Sequence, residues 1–234
     1  MTLAYFFTKF SVLDWAALAW FLACWLGYEQ IVERGWGGRP SLLAETNKLR
    51  EGWSRVMLKR DPRIVDVALI GNLLPSLSFY ANTSIYIIAA LFAALGTLDQ
   101  LMSMASELPF ARVISREATE LKLLVLLGTF VIAYFKFTWS LRQFNLLSIT
   151  LGAVPEEASD AELDKHARKF AAVNSCAGND FNRGLRAYYF GMAVMSWMVS
   201  SWLFIASTLF IVVVLARREF ASPALKALTG DYQP

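Results

Sequence analysis

Four apolar runs dominate the chain, and each is long enough to cross a lipid bilayer. A helical crossing takes roughly 20 mostly apolar residues. The runs are FSVLDWAALAWFLACWLGY (10–28), SFYANTSIYIIAALFAALGTL (78–98), LKLLVLLGTFVIAYFKFTWSL (121–141) and YYFGMAVMSWMVSSWLFIASTLFIVVVLA (188–216). The last is long enough to tilt. Hydrophobic residues make up 56% of the 234 and charged residues only 18%, against about a quarter in soluble domains. The expected fold is therefore all-α, a polytopic membrane helical bundle that forms one integral domain over residues 1–234.

The connections at 29–77 and 142–187 are long and carry most of the lysine and arginine. Basic residues near crossing ends favour the cytoplasmic side. With four crossings, 14 basic residues fall on the connection side and 7 on the other. This places both connections in the cytoplasm, both termini outside, and the protein in a bacterial inner membrane. Arg217 and Arg218 fall on the wrong side of that scheme. Trp15, Trp25 and Tyr28 suit interfacial aromatic belts. No cleaved signal peptide is expected, because the first residues lack a basic stretch and a small-residue cleavage site.

The connections read as helices. Leu42, Leu49, Trp53, Val56 and Met57 recur at helical spacing, with Ser41 as N-cap. Such a basic amphipathic helix either lies on an anionic leaflet or completes the core. Ser159 and Glu162 fit a capping box, and Leu163, Ala167, Phe170 and Ala171 form a stripe behind it. One helix is expected from Arg63 to Leu98, bent at Pro75. Another is expected from Leu121 to Gly152, reaching past the membrane into the cytoplasm. Arg63 and Asp66 are spaced for an ion pair.

NLLPSLSFYANTS, residues 72–84, puts unusual polarity at the start of a crossing. At 100° per residue Asn72, Ser76 and Thr83 share one face, and Asn82 lies on another. The stripe fits a helix–helix seam, or the lining of a pore. Lys136 is continued on its face by Ser140 and Gln143, and Thr138, Arg142 and Asn145 make a second polar stripe. Either this helix is enclosed, or its lower part is in water. Asn182, Arg183 and Arg186 form a cytoplasmic basic and polar cluster, where positive residues ordinarily end a membrane segment. Ala193, Ser196, Ser200 and Ser207 share a packing face, expected to meet the Asn72 stripe or a second subunit.

The motifs of phosphate loops, dinucleotide folds, zinc proteases and serine hydrolases are missing. A single histidine and two distant cysteines suggest no metal site. No enzyme, cofactor or metal is expected. A net charge of +3 implies no strong overall field, and no nucleic-acid partner is expected.

RDPRIVDVALIGNLLPSLSFYANTS, FTWSLRQFNLLSI, AGNDFNRGLRAYYFGMAVMSW and VVVLARREFAS, in that order, resemble the blocks of a membrane family called domain of unknown function 599. The resemblance spans about residues 11–224. It implies a multi-pass membrane protein and brings no activity or site residue. The leading expectation is a homo-oligomeric channel or small-solute passage that favours anions. Asn72, Ser76 and Thr83 would line it, with Lys136, Arg142, Arg183 and Arg186 at its cytoplasmic mouth. The alternative is a non-transporting scaffold that binds a partner protein or anionic lipid. A lipid-directed enzyme ranks third, for want of a nucleophile–base pair.

Overall fold

The computed structural model describes residues 10–35, 37–106, 115–154 and 158–230. The described residues are helical, without strands: α1 Val12–Arg34, α2 Leu42–Met57, α3 Ile64–Gly71, α4 Leu74–Gly96, α5 Leu98–Ser106, α6 Arg116–Gly152, α7 Asp160–Ser196, α8 Ser201–Phe220 and α9 Pro223–Thr229. Serine oxygens start six of them. Ser11, Ser41, Ser115, Ser159, Ser200 and Ser222 each accept a backbone N–H from the first turn, which satisfies a donor the helix leaves unpaired. Ser41 and the Ser159–Glu162 box are the caps expected from sequence. Gly152 ends α6 as expected.

Two helical stretches, Ile64–Gly96 and Arg116–Gly152, are long and apolar enough to cross a membrane. The first is interrupted at Asn72–Leu73, and Pro75 sits in the first turn of α4. There its missing N–H costs nothing.

The frame of the molecule is α6 laid antiparallel along α7. Lys122 meets Trp197, Phe130 lies against Gly191, Phe137 against Gly184, and Ser140 Oγ donates to the Ala177 carbonyl at 2.7 Å. Ala177, Gly184 and Gly191 recur every seven residues on one face of α7. The two glycines leave room for two phenylalanine rings, so the backbones come close. A Cβ on Gly184 would collide with the Phe137 ring.

Around this pair, α4 packs principally on α6, α8 packs on α7 and α1, and α2 packs on α7. One core surrounds Phe21, Phe137, Phe190, Trp197 and Phe204. A second, nearer the start of α7, holds Met57, Ile70, Leu77, Phe144, Leu147 and Phe170. Against exposure to water, burying each Phe or Leu contributes about 1.5–3 kcal/mol.

Several expectations need correction. The run at 188–216 is not one helix. It breaks between Trp197 and Ser200, where Ser200 caps α8, and the chain doubles back. Ser196 shares a 2.6 Å hydroxyl–hydroxyl bond with Ser207, and Tyr189 accepts from Arg218. Ala193, Ser196, Ser200 and Ser207 therefore close a hairpin rather than present one face to another helix. The end of α8 consequently lies at the opposite end of the bundle from the start of α1. Asp14 meets Trp197 and Ser201, whereas Glu219 accepts the Leu43 N–H of α2 at 2.8 Å. The two described ends are thus not on one side. Trp25 and Tyr28 are buried rather than interfacial. Trp25 stacks on Phe190 at 5.4 Å. Asp66 pairs with Arg60 at 2.8 Å and takes the Trp53 indole N–H at 2.7 Å, so Arg63 is not its partner.

Candidate functional site

The polar residues singled out from sequence separate into three groups. The first is a neutralised network. Asp180, on α7, accepts from Lys136 Nζ at 3.2 Å, Gln143 Nε2 at 2.7 Å and Arg183 Nη1 at 3.2 Å. Arg183 also pairs with Glu33 of α1 at 2.6 Å. The face of Lys136, Ser140 and Gln143 is thus the face that α6 turns to α7. Burial acts most strongly on the Asp180 carboxyl and opposes its charge. The hydrogen bonds from Gln143 and Lys136, the Lys136 charge and the Arg183 bond outweigh it and hold the pKa below the ordinary value. Lys136 and Arg183 are engaged, and so are poor candidates for an open mouth.

The second group faces outward. Asn72, at the break between α3 and α4, and Ser76 and Asn82, on α4, are exposed, as are Arg142 and Asn145 on α6; Ser76 also borders the cavity of the third group. Thr83 is half-buried and donates to the Phe79 carbonyl at 2.8 Å. Arg142 stands over the Trp139 ring, 5.8 Å from its centre. The polar seam of α4 within the chain is a different residue. Ser84, fully buried, shares a 2.9 Å hydrogen bond with the Tyr188 hydroxyl.

The third group surrounds a cavity of about 780 Å³ floored by α7. Asn174, Gly178, Asn182, Leu185, Arg186 and Tyr189 lie on one face of that helix and line it. Its walls come from α1 (Tyr28), α2 (Leu43, Arg50, Trp53), α4 (Leu73, Ser76, Leu77, Tyr80) and α8 (Leu215, Arg218, Glu219). Tyr80 and Phe181 also line it. They belong to a four-ring cluster with Phe137 and Tyr188, whose ring centres lie 5.4–5.9 Å apart.

Arg186 is the unusual member. It is 6% exposed, and its Nε has no hydrogen-bond partner among the described residues. Glu29, Glu33 and Glu219 act on it electrostatically, and each also accepts a hydrogen bond from another group. Glu29 accepts the Trp25 N–H, Glu33 holds Arg183, and Glu219 holds the Leu43 N–H. Asn174, 2% exposed, likewise has an unpartnered Nδ2. Arg50 reaches in from α2, its guanidinium lying against the bare backbone of Gly178, where any Cβ would collide with it. It donates to Asn47 Oδ1 at 2.7 Å. Burial pushes its pKa down, though an arginine stays charged at neutral pH. Arg218 completes the set, donating to the Tyr189 hydroxyl and standing over its ring.

Three guanidiniums and one carboxylate therefore line one cavity. Of the three, Arg186 alone is buried and lacks a hydrogen bond, which is costly, and guanidinium donors are matched by carboxylate or phosphate oxygens. The arrangement suits an anion.

Asn182, Arg186 and Ser76 were legible as candidates. Arg50, Asn174 and Arg218 were not, because the cavity draws on helices far apart in sequence. No group of metal-ligating side chains is present among the described residues. No curated protein and no solved structure matches the chain. The family model described as "Protein of unknown function, DUF599" matches residues 16–224, and the chain belongs to that family.

Proposed function

We propose that this is an integral protein of the bacterial cytoplasmic membrane that binds an anionic ligand from the cytoplasmic side, in the cavity of Arg50, Arg186 and Arg218. The observation that carries the reading is Arg186, nearly buried and without a hydrogen-bond partner among the described residues, while the acids near it hydrogen-bond other groups. Five crossings fit the helices: α1, α4, α6, the last turns of α7, and α8. Arg217, Arg218 and Lys226 then join the connections. The cytoplasmic side holds 17 basic residues against 4 outside, with Lys136 near the boundary. The scheme with both termini outside left those three unexplained. Exposed Trp20, Phe92, Phe135, Trp202 and Phe210 suit a lipid-facing surface.

The test is thermal stabilisation of the detergent-solubilised protein by inorganic phosphate or sulfate. A ligand that binds only the folded state raises stability in proportion to the logarithm of its concentration. Wild type is expected to respond and Arg186→Gln to lose most of the response. Equal responses in both would refute the assignment.

A second reading is a homo-oligomeric passage, and α4 favours it. It belongs to Ile64–Gly96, the less covered of the two long apolar stretches, which exposes Asn72, Ser76 and Asn82. Polar side chains at bilayer depth ordinarily face protein or water rather than lipid. Closed symmetry would gather α4 from several copies around an axis, with the arginine cavity at its inner mouth. Anion flux in proteoliposomes that Asn82→Leu abolishes would favour this reading. Flux unchanged by Asn82→Leu and Asn72→Leu would remove it.

A further inference from the structure

We infer that the anion held by Arg186 is the headgroup of a membrane lipid, whose acyl chain leaves the cavity sideways into the bilayer. The inference rests on the anion reading and names its ligand. Three observations carry it.

The first is the cavity's chemistry. Its positive charge is gathered at Arg50, Arg186 and Arg218 against the single lining carboxylate of Glu219, while Leu73, Leu77, Leu185 and Leu215 supply an apolar wall beside it. A bare inorganic ion has no use for that wall; an amphiphile has a use for both parts.

The second is the direction of the floor. Leu185 and Tyr189 line the cavity, and Met192 follows on the same helical face one turn further into the bundle. Met192 is 51% exposed and Met195, beside it, 56% exposed. The surface that leads away from the arginines is therefore apolar, open and made partly of flexible methionine, which adapts to a chain of variable shape.

The third is the gap above that floor. The packing of α4 is principally on α6, and that of α8 is on α7 and α1. Residues of both helices line the cavity and the two are not a principal packing pair, so the proposed exit toward lipid is placed between them.

Tyr80 and Phe181 also line the cavity and are fixed there by contact with each other and with neighbouring rings. A headgroup at the cytoplasmic boundary with its chain rising along Leu185, Tyr189 and Met192 satisfies all three observations. Headgroup phosphate and free phosphate share the same oxygen chemistry. The experiment must therefore separate them.

Native mass spectrometry of the delipidated full-length protein in detergent gives affinity for each of four probes: phosphatidylglycerol, phosphatidylcholine, lysophosphatidic acid and glycerol phosphate. The expected result is one tight anionic lipid per chain, bound in preference to phosphatidylcholine, with glycerol phosphate much weaker. Arg186→Gln should weaken phosphatidylglycerol roughly 10- to 100-fold, the loss of a charge-assisted hydrogen bond. Met192→Trp, at an exposed position, should weaken the lipids and leave the stabilisation by inorganic phosphate unchanged. If glycerol phosphate binds as tightly as the lipids, or Met192→Trp has no effect, the lipid inference fails and the anion site stands. If Arg186→Gln changes neither lipid nor phosphate binding, both fail.

Discussion

Replacing Gly184 by alanine tests the packing on which the rest of the molecule is built. A Cβ at this position would lie within 2.5–2.8 Å of three atoms of the Phe137 ring, closer than real Cβ atoms approach a neighbour. The ring has nowhere to go. It is fully buried, with Tyr80, Phe181 and Tyr188 ring centres 5.4–5.7 Å away. Overpacking of this kind costs about 1–3 kcal/mol. Alanine also favours a helix interior over glycine by about 1 kcal/mol, which partly offsets the clash. Gly128→Ala removes that ambiguity. Gly128 is also within a helix, is exposed, and has no atom within 4 Å of a built Cβ. The two variants share the propensity gain, so their difference isolates the clash at about 1–3 kcal/mol. For a chain of this size that is a gap in Tm on the order of 2–10 °C. Thermal unfolding of both variants in the same detergent reads it. Gly128→Ala should match or exceed wild type, and Gly184→Ala should fall below it. Adding Phe137→Leu should cost less in the Gly184→Ala background than in wild type. If Gly184→Ala is as stable as Gly128→Ala, the close approach of α6 and α7 is wrong.

Two other outcomes follow from the same contacts. The Asp180 pKa is depressed by folding, so its contribution is full above the ordinary carboxylate value near 4 and fades as pH falls through the lower folded value. Asp180→Asn should lower stability by about 1–3 kcal/mol at pH 7 and by much less at pH 3, read by unfolding across that range; a constant deficit would contradict the network. Cys176 is an exposed thiol on the part of α7 assigned to the cytoplasm, so a membrane-impermeant maleimide should label it in inside-out vesicles and not in intact cells. A label on a residue introduced after Thr229 should follow the same pattern, whereas opposite sidedness would refute the five-crossing scheme.

How much of this was legible in the sequence depended on whether the cue was local. Ser41, Ser159 with Glu162, and Gly152 mark helix ends within a few residues, and each marks an end in the structure. Lys136, Ser140 and Gln143 recur at helical spacing, and that one face meets α7. The break between α7 and α8 is harder, because neither proline nor glycine interrupts residues 192–229 before Pro223. Its cues were Ser200, able to cap a new helix, and the Arg217–Arg218 pair that a single crossing left on the wrong side. Ala177, Gly184 and Gly191 at intervals of seven are a small-residue pattern that sequence reasoning passed over, and the spacing does not name a partner helix. The arginine cavity is not written locally at all. Arg50, Arg186 and Arg218 are ordinary flanking charges along the chain, and converge only because Gly178 admits Arg50 and the α7–α8 hairpin brings Arg218 back beside Tyr189.

The most direct test of the central claim is a cryo-electron microscopy map of the protein extracted with its native lipids and held in nanodiscs. The account predicts headgroup density within hydrogen-bonding reach of Arg186 Nε and the Arg50 guanidinium, with a tail rising past Tyr189 and Met192. A cavity holding only water, with Arg186 turned onto Glu29 or Glu219, would contradict it.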